Sequence, residues 1–513
     1  MKPHTLLRAA FIALLLQSLL GGTGGKITPA EREEEARWLQ SLGVQVPEGG
    51  WPLENPFVQP WTRRSLIVPT AWYRQRAPEK VKADLFRADV KLLRQIMENV
   101  YGGWQTAERR GWKWGEFFDR WDADLAAQGS AEIALQEAMA PWKKLMEFQL
   151  DNHSGPLSLA VAAHAGSWSA VLAKAPAAAC TEFRNTKGTV YPINSLDPAQ
   201  LPKKREDSEG RPIYYLTTPS IKGPLEAVHC GSEWIPAKPA WFPTNAERSA
   251  NIRALAQTET DVPTYRSISP QIGYIRFPSF SKPAVELTIK LEATLKDLKP
   301  TEGLLIVDLR GNEGGDERLN ALGHWVKPPN VSGKTRIAAS CLYHALRWGY
   351  MQISSASLKP PISGGMRTRL QASLNDLLKN DAPGCPSKFT EESGNWSYLQ
   401  HRYPVPTKVK TRLLALVDEG CGSDCEGAMI TIAAIPGSVI AGVNSYGVAQ
   451  FIQPGYFVLP NTRLPFRIAL GTADDYGDNR SFDGYGFDVD ILLPTQAEMS
   501  AENILRLAQR LIQ

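Results

Sequence analysis

The first 150 residues differ from the rest of the chain in how their apolar positions are spaced. In the stretch LFRADVKLLRQIMENV, which begins at Leu85, apolar residues recur at helical spacing up to the Gly102-Gly103 break. Further helices are predicted over 28–42, where Thr28-Pro29 supplies the cap and first turn, and over 114–127 and 130–150. We therefore predict a small helical bundle in the N-terminal part of the chain.

After residue 155 the pattern becomes that of β-structure. Short apolar runs alternate with turn-forming residues over 155–265, which predicts a β-rich module with a polar loop at 203–210. From 270 onwards the runs IGYIRF, GLLIVDL, LLALVD and SVIAGV are continuously apolar, as in strands buried on both faces. Helices are predicted over 284–298, 424–434 and 500–513, and a polar, Pro-rich insertion over 351–410. The fold class is α+β or α/β.

Composition narrows the classes of protein that this chain can be. It has 513 residues, of which 43% are hydrophobic and 21% charged, so it can bury the cores of several globular domains. The net charge of +4 is small and no dense Lys/Arg stripe occurs, so no nucleic-acid partner is expected. No paired CxxC and no HExxH occurs, so neither a metal nor another cofactor is expected.

The N-terminus, MKPHTLLRAAFIALLLQSLLGGTGG, has basic residues, then an apolar run, then small residues. This pattern predicts a cleavable signal peptide over 1–25, with an uncleaved anchor as the alternative and no stable membrane span in the mature chain. Export to an oxidising compartment would let the six cysteines pair. Fifteen pairings are open. We favour Cys180 with Cys230, Cys341 with Cys385, and Cys421 with Cys425.

The strongest local signal for chemistry is LLALVDEGCGSDCEGA, in which a buried strand ends at a Gly-rich turn and a helix begins. Ser423 stands at the helix start and Glu426 three residues on, which is the spacing of a capping box. The same position suits a nucleophile, because free N–H groups and the positive end of the helix dipole stabilise developing negative charge. Local sequence leaves both interpretations open.

A serine nucleophile needs a base and donors for an oxyanion. The most suggestive of the seven histidines is His153, in the polar tip Asp151-Asn152-His153 that follows the third predicted helix. The loop IVDLRGNEGGDE carries Gly314 and Gly315 after a buried strand, and such glycines let backbone N–H groups approach a ligand closely. The alternatives are a structural histidine and a tight strand-to-helix connection.

Together these motifs resemble the tail-specific protease, or C-terminal processing peptidase, family. The sequence segments that carry this resemblance are, in chain order, IGYIRFPSF, GLLIVDLRGNEGG, LLALVDEGCGSDCEGA, VIAGVNSYGVAQ and FDGYGFDVDILLP. The chain is most similar to the branch of the tricorn protease core and the interphotoreceptor retinoid-binding protein. The resemblance implies a crotonase-like ββα core with Ser423 as nucleophile. The backbone N–H groups of Asp424 and of Gly314 or Gly315 would form the oxyanion hole.

One departure from the family changes the expected base. Many members use a Ser–Lys dyad, but Val448 stands in the lysine position and cannot accept a proton. The tricorn-like branch uses a histidine, whose position His153 matches. A serine precedes that histidine there and links it to a glutamate. Asn152 and Asp483 stand in these places here, and Asp151 competes for the orienting role. Asn152 also begins a glycosylation pattern, and a glycan there would block the base, which favours a bacterial source.

The sequence thus predicts a secreted or periplasmic serine endopeptidase that uses Ser423 and His153 through an acyl-enzyme. Its substrates would be peptides or unfolded proteins, and its oligomeric state is left open. The predicted domains are a helical domain over 26–154, a β-rich module over 155–265 without a convincing PDZ loop, and a catalytic core over 266–513. The alternatives are a non-catalytic binding protein on the same fold, an esterase-type hydrolase and a structural envelope protein.

Overall fold

The computed structural model describes most of the chain, in these ranges: 27–45, 66, 68–74, 77–109, 111–149, 151, 153–157, 167–196, 201–219, 222–240, 244–257, 263–280, 303–315, 332–339, 341–355, 364–379, 388–395, 412–433, 437–475 and 486–513. The predicted signal peptide, the predicted helix over 284–298 and Cys385 lie outside the described residues. No helix within these ranges is long and apolar enough to span a bilayer.

Seven helices are described in the N-terminal part, which confirms a helical region there. They are α1 (Pro29–Ser41), α2 (Thr70–Tyr73), α3 (Ala83–Val100), α4 (Trp104–Arg109), α5 (Trp114–Ala127), α6 (Leu135–Ala138) and α7 (Ala140–Gln149). At the start of α1 the side chain of Thr28 accepts from Glu31 N, and the Glu31 carboxylate accepts from Thr28 N. This is the capping box that the sequence Thr28-Pro29 suggested in part.

The single helix predicted over 130–150 is wrong in its first half. Residues Glu132–Ala134 form strand β2, which pairs antiparallel with β1 (Lys80–Lys82) before α6 begins. Pro141 then lies near the start of α7 and supplies no backbone N–H, so helix α6 cannot run through it. Hydrogen bonding to a distant strand thus overrode a local helical pattern.

Within the described residues the largest sheet contains 13 strands, and its centre is parallel. Five neighbouring parallel strands form this centre: β12 (Ile272–Arg276), β13 (Leu304–Asp308), β16 (Arg412–Val417), β17 (Val439–Gly442) and β20 (Ile491–Leu492). They correspond to the continuous apolar runs of the sequence, and β13 is buried along its whole length. Strand β11 (Thr264–Ser269) pairs antiparallel at one edge.

Helices cover both faces of this parallel centre, and alternate residues of each strand point to opposite cores. Leu305 and Val307 pack in the core that includes α11 (Asp424–Ala433). Leu304 and Ile306 pack in the core that includes α8 (Asn245–Ala256) and α12 (Ala501–Ile512). Burial on both faces is the reason that these strands read as unbroken apolar runs.

The strands of the middle region continue the same sheet. They are β7 (Lys203–Glu206), β8 (Pro212–Pro219), β4 (Ser167–Leu172), β10 (Glu233–Pro239), β9 (Leu225–Cys230), β5 (Cys180–Asn185) and β6 (Val190–Pro192). The connection runs through a parallel pair of Ile491 with Glu206. The polar loop predicted over 203–210 is therefore wrong in its first half. Lys203 and Arg205 are accommodated in a strand because both form ion pairs with Asp488.

A second sheet packs against the N-terminal helices. It contains β15 (Lys388–Asn395), β14 (Ser332–Ala339), β19 (Leu464–Asp475) and β18 (Phe451–Leu459), and β3 (Gly155–Pro156) pairs with β19. Helices α9 (Cys341–Ser355) and α10 (Gly364–Lys379) join the same core. The insertion predicted as polar over 351–410 thus contains a helix and a strand. Met366, Leu370 and Leu374, spaced four residues apart, bury one face of α10.

Candidate active site

Ser423 lies in the turn between β16 and α11, and its backbone is unusual. Its φ is +55°, in the left-handed region that costs a non-glycine residue about 1–2 kcal/mol. The capped helices of this chain start differently, with φ of −78° at Thr28, −62° at Thr244 and −69° at Ser500. Moreover, Glu426 N donates to the carbonyl oxygen of Ser423 at 2.9 Å. Ser423 is therefore not an ordinary N-cap, and strain of this kind is typical of functional sites.

The Gly-rich loop after β13 packs directly against this turn. A methyl group on Gly314 would lie 2.6 Å from the carbonyl oxygen of Gly422 and 2.8 Å from both Asp424 N and Ser423 Cβ. The φ of Gly314 is +89°. Only glycine satisfies both the backbone conformation and the close approach. The structure thus brings the predicted nucleophile and the predicted oxyanion loop together.

Asn312 links the Gly-rich loop to the Ser423 turn by hydrogen bonds. It accepts from the N–H of Gly314, one of the two glycines considered as oxyanion donors. Its side-chain oxygen accepts from Gly314 N at 2.9 Å, and its carbonyl oxygen accepts from Gly422 N at 3.1 Å. The N–H of Gly315 makes no hydrogen bond with any residue that the structure describes. Of the two glycines, Gly315 therefore has the N–H that a ligand could take.

A buried ion cluster stabilises both the Gly-rich loop after β13 and the turn that precedes Ser423. Asp418, the first residue after β16, accepts from Gly311 N at 2.8 Å and from Gly420 N at 3.0 Å. Arg248 of α8 donates to Asp418 at 2.6 Å and also pairs with Glu419. Sequence reasoning missed this cluster. The position of Asp418 at the carboxyl end of a buried strand was a usable signal, but Arg248 lies in no recognisable motif.

Glu426 anchors the nucleophile helix to the segment that follows β17. Its carboxylate accepts from the hydroxyl of Ser445 and from the backbone N–H groups of Gly447 and Val448, the last at 2.8 Å. Burial raises the pKa of Glu426 to about 7. The carboxylate of Glu426 also accepts from the backbone N–H of Ser423, which is one half of a capping box, so it links the start of α11 to the segment after β17.

Val448, which stands in the family's lysine position, lies at the back of the same turn. Its side chain is buried, and a methyl group on Gly422 would lie 3.2 Å from Val448 Cγ2. An apolar group thus fills the place beside the nucleophile turn from which a lysine would act.

His153, the predicted base, follows α7 in a tight turn. Its backbone N–H donates to Asp151 at 2.7 Å, and the hydroxyl of Tyr101 donates to the other carboxylate oxygen of Asp151 at 3.0 Å. Asp151 therefore shapes the backbone of the turn and does not hydrogen-bond the ring. His153 as a whole residue is half-buried, but its Nδ1 atom is buried and has no hydrogen-bond partner in the described part of the chain. Asn152 and Asp483 lie outside the described residues.

The turn that carries His153 contacts β19 directly and β18 through Tyr101, and β18 begins shortly after Val448. The hydroxyl of Ser154 accepts from Ala469 N of β19 at 2.9 Å, and Tyr101 stacks on Phe451, the first residue of β18, with ring centroids 6.4 Å apart. Phe451 follows Val448 by three residues. Among the residues that the structure describes, no hydrogen bond joins the ring of His153 to Ser423.

Electrostatics keep His153 uncharged. Burial, and then the positive charge of Arg467, lower its pKa to about 3. A neutral imidazole can accept a proton, but a pKa of about 3 makes it a weak base at neutral pH, so proton transfer requires an anionic partner or a change of surroundings that raises this pKa.

A strained serine beside backbone N–H donors at a helix start is the arrangement of a serine-type hydrolase that works by acyl transfer. The comparisons with known proteins identify the class more closely. Residues 271–491 match peptidase family S41, which confirms the resemblance to the C-terminal processing peptidases. This protein is a serine-type peptidase, and its residues 271–491 are similar to that family. No curated protein sequence matches the chain.

Several solved structures are similar to this fold. Mature CPAF is 12% identical with a TM-score of 0.43, over 84% of this chain and 96% of that one. A lipoprotein from Streptococcus agalactiae is 11% identical with a TM-score of 0.37, over 83% and 96% of the two chains. The photosystem II D1 C-terminal processing protease is 11% identical with a TM-score of 0.36, over 83% and 97%. At TM-scores below 0.5 these likenesses carry no argument about activity.

Proposed function

We propose that the protein is an exported endopeptidase in which Ser423 attacks the peptide carbonyl and His153 takes its proton. The single observation that carries this proposal is the left-handed turn of Ser423 packed against the Gly314–Gly315 loop. This geometry presents a hydroxyl beside backbone N–H groups, which a carbonyl needs if it is to become a tetrahedral oxyanion. Within the described residues the Ser423 hydroxyl donates no hydrogen bond, so it is open to a base.

The oxyanion donors are the backbone N–H groups of Gly315 and Asp424. Gly315 is favoured over Gly314 because the N–H of Gly314 already donates to Asn312. Asp424 follows the nucleophile at the first position of α11, at the positive end of the helix dipole, where developing negative charge is stabilised.

His153 is favoured as base because Val448 stands in the family's lysine position and because His153 matches the histidine position of the tricorn-like branch. It would return the proton to the leaving amine, and water would then hydrolyse the acyl-enzyme. Asp483 is proposed to orient the ring. The hydrogen bond between base and nucleophile would form as substrate binds, as catalytic contacts often tighten in the complex.

The cellular location is proposed from the N-terminal pattern and from the disulfides. Cys180–Cys230 and Cys421–Cys425 are both formed, as expected in an oxidising compartment. A periplasmic or secreted peptidase would act there on peptides or unfolded proteins. The division into a helical domain, a β-rich module and a catalytic core remains part of the same proposal.

The test uses the purified mature chain with a mixture of unfolded peptides and a fluorophosphonate probe. Ser423→Ala should abolish both cleavage and labelling. His153→Ala should lower kcat roughly 100–10,000-fold, whereas His229→Ala, in the middle region, should stay within about twofold of wild type.

Two results would contradict the proposal. Cleavage that survives Ser423→Ala would show that Ser423 is not the nucleophile. Equal activities of His153→Ala and His229→Ala would show that His153 is not the base. Labelling of Ser423 without any peptide cleavage would favour the esterase-type alternative, and no labelling at all would favour a binding protein.

A further inference from the structure

The disulfide Cys421–Cys425 closes a ring of five residues with Ser423 at its centre. Its Cα atoms are 5.4 Å apart, and the side chains of both cysteines are fully buried. Cys425 Sγ lies 3.8 Å from the carbonyl oxygen of Leu309, and Cys421 Sγ lies 3.6 Å from the sulfur of Met429. The bridge thus ties the nucleophile turn to the end of the oxyanion strand on one side and to α11 on the other.

The ring restrains the one residue in the turn that carries backbone strain. Ser423 holds a φ of +55° without the glycine that this region favours. Its relaxation to an ordinary conformation would move the two ends of the turn relative to each other. The hydrogen bonds of Cys421 N to Asp418 O and of Cys425 N to Gly422 O fix each end separately, and the disulfide adds a covalent link that closes the backbone of the turn into a ring.

The other described disulfide offers a natural contrast. Cys180–Cys230 joins directly paired residues of β5 and β9, with 50 residues of sequence separation. The chain-entropy model predicts that a longer loop stabilises the fold more than a short one. Loss of Cys180–Cys230 should therefore cost more stability than loss of Cys421–Cys425. Loss of Cys421–Cys425 should cost more catalytic activity.

We propose that the Cys421–Cys425 disulfide is a positioning element of the active site, so that the peptidase reaches full activity only after this bridge has formed. The inference rests on the proposed role of Ser423. In the reduced chain Ser423 can leave the left-handed conformation, and its hydroxyl then moves away from the oxyanion donors. Reduction by a dithiol reagent would give two protein thiols while the reagent is oxidised to its own disulfide, so two electrons and two protons are transferred.

The experiment compares Cys421→Ala/Cys425→Ala with Cys180→Ala/Cys230→Ala in the mature chain. For the first variant we expect kcat to fall about 100-fold, the effect of a misplacement of about 1 Å at a reacting group, with KM nearly unchanged. Its probe labelling at Ser423 should slow to the same degree. The second variant should lose more thermal stability and keep kcat within about threefold of wild type.

A redox measurement makes the test independent of substitution. The Cys180→Ala/Cys230→Ala protein, refolded with dithiothreitol, should show native circular dichroism but slow labelling. Labelling should recover as mass spectrometry shows the 421–425 bridge forming again.

The possible failures can be told apart. Probe labelling of a serine other than Ser423 in wild type would overturn the proposed function and this inference with it. Wild-type labelling rates in Cys421→Ala/Cys425→Ala, or activity losses that simply follow the melting temperatures of the two variants, would overturn the disulfide proposal alone.

Discussion

Replacement of Gly314 by alanine tests the closeness of the oxyanion loop to the nucleophile. The added methyl group would lie 2.6–2.8 Å from the carbonyl oxygen of Gly422, from Asp424 N and from Ser423 Cβ. Side-chain carbons do not approach other heavy atoms this closely, and the first two of these atoms are backbone. The loop must therefore move away from the turn, which separates the donors from the carbonyl that Ser423 attacks.

Gly111 provides a matched control because its backbone is almost the same. Its φ is +92°, against +89° for Gly314, yet a methyl group there would meet nothing within 4 Å. Both alanine variants carry a similar conformational cost of about 1–2 kcal/mol. Any difference in activity between them then comes from the contact with the nucleophile turn.

We expect Gly314→Ala to lower kcat roughly 100–1000-fold, equivalent to about 2.7–4 kcal/mol, as for the loss of an oxyanion donor. Gly111→Ala should leave kcat within about twofold. The assay is peptide hydrolysis at saturating substrate, with thermal unfolding measured on the same samples. The reasoning would be refuted if both variants lost activity equally, or if Gly314→Ala kept wild-type kcat while its stability fell.

Two further predictions concern the buried charges near the site. Because the folded pKa of Glu426 is about 7 and its ordinary value is 4.5, the folded protein holds this proton to a higher pH than the unfolded chain does. The free energy of unfolding should therefore fall by about 3 kcal/mol as pH rises from 4.5 to 7. Thermal melts across this window should show that slope in wild type and a flatter one in Glu426→Gln; equal slopes would contradict the assignment. Arg248→Gln leaves the buried Asp418 without its cation, so urea unfolding should report a loss of about 3 kcal/mol, and kcat should also fall. The exposed control Arg184→Gln, which breaks a surface pair with Glu226, should cost less than about 1 kcal/mol, and similar costs for the two arginines would argue against a buried brace.

The parallel strands were predictable because burial on both faces makes each of them a continuous apolar run. The packing of the Ser423 turn against the Gly314–Gly315 loop was predictable because both segments follow such strands directly and carry short glycine motifs. Helix α10 was missed since its buried face consists of only a few apolar residues within a polar, Pro-rich stretch. Strand β7 was missed because its charged residues are neutralised by Asp488, which lies 285 residues further on.

Other contacts between distant parts of the chain could not be predicted from the sequence, because the two partners lie far apart along it. The ion pair of Arg248 with Asp418 joins residues 170 positions apart, and no local pattern encodes such a pairing. The proposal of Gly315 over Gly314 as oxyanion donor also needed the structure, because it rests on the hydrogen bond from Gly314 N to the side chain of Asn312.

The pairing of β3 with β19 bears on the order in which the molecule can be assembled during synthesis. Ser154, next to His153, is hydrogen-bonded to Ala469, 315 residues later in the chain. The N-terminal helices likewise share one core with β18 and β19. A nascent chain therefore cannot settle the histidine turn until nearly the whole polypeptide has emerged. Chains truncated before β19 would thus lack the contacts that order the turn carrying His153.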